Sequence, residues 1–136
     1  MDRKASALWL GDLKAGKGTI STQSSTLNNT QYSFKTRFED GVGTNPEELL
    51  AAAHAGCFTM AVSAALGQAG FTPTSLDTTA TVNMEGLAVT GVHLVIKGAV
   101  PNLTAAQFEE FTIGAEKNCI ISKALSVPIS SESSLA

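Results

Sequence analysis

Residues 49–66 carry only His54, Thr59 and Ser63 as clearly polar side chains, and no other stretch restricts the fold as strongly. Start and stop signals frame the run. Asn45 suits a helix cap and Pro46 the first helical position. Glu47 and Glu48 put negative charge beside the positive helix end, and Glu48 is placed to close a capping box onto Asn45. Gly70 and Pro73 supply the stop. The spacing predicts one helix over residues 46–69, about 36 Å long. Its apolar core is long enough to touch the lower limit for a membrane span. Ala and Gly dominate it, however, and basic flanking anchors are absent, so we read it as the central core helix of a soluble chain, with no membrane partner.

A helix apolar nearly all round needs covering on more than one side, and the flanking sequence supplies strands. Residues 5–10 and 19–22 are strand-like, separated by Gly11, Gly16 and Gly18, and Asn28 and Asn29 form a turn. Residues 32–38 alternate, with Tyr32, Phe34 and Phe38 on one face, which predicts a third antiparallel strand. Beyond Pro73, residues 76–84 and 89–100 are rich in Val and Thr and flank Glu85 and Gly86, a hairpin. Thr104 with Gln107 opens a second helix through about Lys117, with Phe108, Phe111 and Ile113 as its apolar side. Another helical turn at residues 120–125 follows Cys119. Residues 127–131 read as a final edge strand, since Pro128 donates nothing to a ladder, and the Ser-rich tail reads as frayed. Strands and helices are segregated, giving an α+β fold with antiparallel sheet, and 136 residues make one domain, 1–136.

Composition narrows the function classes. A net charge of −3 argues against nucleic-acid binding, which needs a basic surface to displace counterions from phosphate. An apolar fraction of 43% against 15% charged residues excludes a disordered chain and hints at apolar surface covered by a partner chain. The apolar stretch at residues 7–10 is too short for a signal peptide, so the expected compartment is the cytoplasm, where the two thiols stay reduced. There Cys57 and Cys119 are either inert core residues or redox groups. His54 and Cys57 share a helical face at i, i+3, which is half a metal site or, far more simply, a packed histidine beside a thiol; His93, in a Val-rich strand, reads as packed too. Two histidines and two cysteines without further clustering give no zinc pattern, and no glycine-rich phosphate loop or Ser/His/Asp order emerges.

The stretch TNPEELLAAAHAGCFTM at residues 44–60 resembles the osmotically inducible protein C and organic hydroperoxide resistance (OsmC/Ohr) family, closest to its OsmC branch. Trp9 with Gly11 and Asp12, the GKGT run at 16–19, TRFE at 36–39 and GFTP at 70–73 support the likeness, which covers nearly the whole chain. The family's second cysteine is usually followed by proline; here Ile120 stands in that place. The resemblance implies that Cys57 is the peroxidatic thiol and Cys119 the resolving thiol, and that Arg37 and Glu47 complete the site. It further implies an intertwined homodimer, an organic hydroperoxide substrate, an external dithiol reductant of lipoyl type, and neither metal nor organic prosthetic group. A redox-sensing or apolar-ligand-binding stress protein is the alternative.

Physical chemistry explains why these residue types would be needed. A thiolate, not a thiol, attacks the peroxide O–O bond, and an ordinary thiol is only a few per cent ionised at neutral pH. A thiol in mid-helix gains nothing from the helix dipole, so a cation must favour the ionised form. An arginine 4 Å away supplies about 4 kcal/mol at an effective dielectric of 20. Glu47 would cancel part of that field while fixing the guanidinium through a bidentate pair. Glu47 and Cys57 lie ten positions apart, about 15 Å along one helix. Either the helix breaks near Gly56, or Glu47 serves the Cys57 of a second chain crossing antiparallel at Ala52.

Overall fold

The computed structural model describes residues 1–136, which form two compact units, Met1–Leu49 and Leu50–Ala136. The boundary falls inside one helix.

In the first unit, strand β1 (Ala5–Leu10) pairs antiparallel with β2 (Lys17–Thr22), Ala5 opposite Thr22 and Leu10 opposite Lys17. Strand β3 (Thr30–Tyr32) then pairs antiparallel with β2. Gly18 lies beneath the rings of Trp9 and Tyr32, where a Cβ would overlap both, so the small residue lets these rings pack 5.4 Å apart. The third strand is shorter than its alternation predicted. It stops at Tyr32, and helix α1 (Phe34–Phe38) follows. Phe34 and Phe38 stand at i, i+4, a spacing that satisfies a strand face and a helix face equally; their ring centres lie 5.0 Å apart with the planes tilted by 44°. What decides is the reciprocal cap, in which the Ser33 hydroxyl accepts from the Thr36 N–H and the Thr36 hydroxyl from the Ser33 N–H.

Helix α2 (Pro46–Gln68) starts where its signals placed it. Asn45 Oδ1 accepts from the Glu48 N–H at 2.8 Å, while Asn45 Nδ2 donates to the Thr36 carbonyl at 2.9 Å, so one side chain caps α2 and ties it to α1. The expected return bond from Glu48 to Asn45 gives way to another: Glu48 Oε2 accepts from the Thr44 hydroxyl at 2.8 Å.

In the second unit, β4 (Ser75–Glu85) and β5 (Ala88–Ala99) form the predicted hairpin, turning at Gly86 with positive φ. Helices α3 (Ala105–Asn118) and α4 (Ile120–Ala124) follow, and β6 (Ile129–Leu135) closes the sheet at the far edge of β5. Two expectations are corrected here. Strand β6 runs parallel to β5, because the two-helix crossover returns the chain to the end from which β5 started. The Ser-rich tail is not frayed; it is the strand, with Ile129, Ser131, Ser133 and Leu135 half-buried and the residues between them exposed.

His54, Phe58, Val62 and Leu66 repeat every four residues and form the buried face of α2. The three apolar members share one core with Val92, Leu94 and Ile96 of β5 and with Phe108 and Ala115 of α3. Helix α2 has the length and composition to cross a membrane, but this face packs within the protein. Its opposite face, with Ala52, Ala53, Gly56, Met60, Ser63 and Ala64, is exposed. On α3 the capping box at Thr104 is present, and the inward residues are Phe108, Thr112 and Ala115; Ile113, five positions from Phe108, points outward.

Candidate active site

Both thiols border one cleft. Ala53, Cys57, Met60 and Ala61 of α2 face residues 118–121 at the α3–α4 junction across a volume of about 580 Å³. Asn118 is the one polar side chain on its walls. The helical period sets the reach of each sulfur. Cys57 precedes the fully buried Phe58 by one residue, so it sits at the margin of the buried face and is half-buried. Cys119 is 3% exposed and ends α3 while capping α4. Its extended backbone, φ −64° and ψ 147°, is what a following proline would require. Ile120 occupies the first position of α4, where no helical bond is lost whichever residue stands there. The turn at the second cysteine therefore survives without proline, and Ile120 adds an exposed apolar wall to the cleft.

The Cys119 sulfur is held in a buried polar chain. Sγ donates to Ser122 Oγ at 3.1 Å and accepts from the Ser122 N–H at 3.3 Å. Ser122 Oγ in turn lies 2.7 Å from His54 Nε2. His54 is fully buried, its Nδ1 has no partner, and burial pushes its pKa down, so the ring is neutral at neutral pH. The packed-histidine reading of His54 is thus borne out. That of His93 is not: its ring lies on the outer sheet face, with Nδ1 2.6 Å from Ser130 Oγ and Nε2 2.9 Å from Glu132 Oε2. Sequence reasoning passed over Ser122. The Cys-x-x-Ser spacing at a helix start, analogous to a Ser-capped first turn, is the signal that marks it.

Arg37 of α1 and Glu47 of α2 meet in the first unit. Arg37 Nε and Nη2 reach Glu47 Oε1 at 2.9 and 2.8 Å. Both donors converge on one oxygen rather than forming the expected two-oxygen fork, and Glu47 Oε2 is buried without a partner. The guanidinium carbon also lies 5.3 Å from the centre of the Phe38 ring. Arg37 is 44% exposed and Glu47 13%, so the carboxylate anchors while the guanidinium reaches outward. Helix α2 is unbroken through Gly56, which removes the first of the two geometries set out for Glu47 and Cys57. Of the apolar residues expected beside Cys57, Met60 lines the cleft; Phe58 lies in the core, and Phe111 borders a separate, smaller hollow with Ala65 and Gly114.

An oxidisable, half-buried thiol and a second, buried thiol on the same apolar cleft are what cysteine-based redox chemistry requires. The OsmC-like protein family model matches residues 38–133, and the chain belongs to that family. Peroxiredoxin OsmC of Escherichia coli (strain K12) is 50% identical to it over 131 residues, spanning 93% of this chain and 92% of that protein. Peroxiredoxin OsmC of Shigella flexneri matches to the same extent. Among solved structures, an OsmC-like protein of unknown function from Vibrio cholerae superposes with a TM-score of 0.77 at 17% identity, covering 98% of this chain and 99% of that one. The organic hydroperoxide resistance protein OhrB of Bacillus subtilis gives 0.72 at 22% identity, with 98% of each chain covered. The two structural likenesses speak for the fold, and the closer relatives make the chain an enzyme of peroxidase type.

Proposed function

We propose that this protein reduces organic hydroperoxides to alcohols in the cytoplasm, with Cys57 attacking and Cys119 resolving. The observation that carries the reading is the shared cleft: a half-buried sulfur that a substrate reaches, facing a buried one that it does not. Cys57 thiolate attacks the peroxide oxygen, the alcohol leaves, and a sulfenic acid remains. Cys119 then condenses with it, releasing water, and an external dithiol of lipoyl type reduces the disulfide. Walls made by Ala53, Met60, Ala61, Ile120 and Ile121 favour an alkyl group over water, and hence organic hydroperoxides over hydrogen peroxide. Stopped-flow thiol loss in the reduced protein is expected to be faster with cumene hydroperoxide than with hydrogen peroxide. Equal, slow loss with both would sink the preference. Dihydrolipoamide is expected to sustain turnover better than thioredoxin.

The Arg37–Glu47 pair reaches Cys57 from a second copy of the chain. Ten residues of continuous helix hold Glu47 about 15 Å from the Cys57 of its own chain. The exposed face of α2 is lined with Ala52, Ala53 and Gly56, and a Cβ at Gly56 would meet nothing in its own chain. Two antiparallel helices crossing near Ala52 bring each Glu47 to the partner's Cys57, giving two composite sites in a homodimer. Refolding an equal mixture of Cys57→Ser and Glu47→Ala chains checks this. A site shared between subunits restores about a quarter of wild-type activity, since about half the dimers are mixed and each has one intact site. A site built within one subunit restores none.

A further inference from the structure

We propose that Ser122 and His54 form a proton relay that activates Cys119 for closing the disulfide, a step that rests on the catalytic cycle proposed above. The geometry is the chain of contacts already described, from Cys119 Sγ to Ser122 Oγ at 3.1 Å and from Ser122 Oγ to His54 Nε2 at 2.7 Å, in a region closed to solvent. A hydroxyl carries one proton and two lone pairs. If Ser122 accepts from the Cys119 thiol, its own proton is free to point at His54 Nε2, and the three groups form a directional wire. No other acceptor for the Ser122 hydroxyl appears within hydrogen-bonding distance.

The wire answers a need of the cycle. The resolving sulfur attacks only as thiolate, yet Cys119 is 3% exposed, and its sulfur hydrogen-bonds to the Ser122 hydroxyl and N–H, not to a charged group. When Cys57 is a sulfenic acid, the Cys119 proton passes to Ser122 Oγ as the Ser122 proton passes to His54 Nε2. The Cys119 sulfur then forms the S–S bond while the S–O bond of Cys57 breaks. Cys119 sulfur is oxidised, Cys57 sulfur is reduced, and the hydroxide that leaves takes up a proton from the open cleft. His54, whose charge the apolar setting disfavours, returns its extra proton through Ser122 to the cleft that Cys119 borders. The sum is thiol plus sulfenic acid giving disulfide plus water. Ser122 touches the reacting sulfur and is a catalytic residue; His54 acts through it and is a positioning residue.

A single-turnover experiment with one equivalent of cumene hydroperoxide separates the outcomes, with the Cys57 sulfenic acid trapped by dimedone and the disulfide followed by mass. In the wild type the disulfide closes with little trapping, and closure is slower in D₂O. In Ser122→Ala closure slows by about 10²-fold, the low end of general acid–base effects, trapping rises, and the D₂O effect disappears. His54→Gln keeps an acceptor for the Ser122 hydroxyl but takes no proton, so it behaves like Ser122→Ala. Closure at the wild-type rate in His54→Gln makes the histidine a structural anchor and overturns the relay. The nitrogen NMR shifts of wild-type His54 give a reading that needs no variant: a neutral ring protonated at Nδ1 supports the relay, and one protonated at Nε2 overturns it. If the wild type forms neither sulfenic acid nor disulfide, the catalytic cycle fails and the relay with it. If the wild type closes and both variants keep pace, the relay alone is wrong.

Discussion

Cys57→Ser protein is expected to consume no hydroperoxide above the uncatalysed rate, and Cys119→Ser to consume one equivalent per chain and then stall. The asymmetry follows from where the two sulfurs sit. Cys57 is at the margin of the buried face of α2, open to the cleft, so in the proposed cycle it is the sulfur that meets the substrate first. A serine hydroxyl in its place is far less nucleophilic at neutral pH and cannot store the oxidising equivalent as a sulfenic acid. Cys119 is enclosed, and Ser122 bonds its sulfur from both hydroxyl and backbone. Removing it is expected to leave the first chemical step of the proposed cycle and delete the second. Peroxide consumption followed continuously, with dithiol in excess, distinguishes the two curves. If Cys119→Ser turned over steadily with a dithiol, the external thiol would be attacking the sulfenic acid directly, and the internal disulfide would be dispensable.

How much of this was legible in the chain depends on what kind of signal each element leaves. Helix α2 and its boundaries were readable because cap, proline, acidic first turn and stop all agree within a few residues. The hairpin and the capping box on α3 were readable for the same reason. Helix α1 was not, because the Phe34 and Phe38 spacing fits two periods at once, and only the Ser33–Thr36 cap separates them. Strand β6 was foreseen as an edge strand but not its direction, which depends on where the crossover ends and not on residues 129–135 themselves. The cysteines drew attention by their chemistry. Ser122, an ordinary serine between Ile121 and Lys123, acquires its position from the break at Cys119. His54 looked like core and is core; what local pattern does not show is that its partner is 68 positions away.

Arg37→Ala is expected to slow the reaction of Cys57 with hydroperoxide by about two orders of magnitude, roughly 2.7 kcal/mol of lost stabilisation. Glu47→Gln, by contrast, is expected to cost less than about tenfold. The difference tests what the pair is for. Both donors of Arg37 converge on Glu47 Oε1, and a glutamine can keep an oxygen there while giving up the charge. If Glu47 acts by aiming the guanidinium, the amide retains most of the function. Its lost charge also removes a field that opposes the thiolate, which works in the same direction. Glu47→Ala frees the guanidinium to swing, since only the Phe38 face still holds it, and should approach the Arg37→Ala rate. Arg37→Lys keeps a cation but loses the planar fork, so it falls between the two. The measurement is stopped-flow thiol loss at neutral pH, with ultraviolet thiolate absorbance recorded on the same samples. Should Glu47→Gln prove as slow as Arg37→Ala while its thiolate signal stays intact, the carboxylate takes part in the chemistry itself. In that case the unpartnered Glu47 Oε2 is the atom that does so.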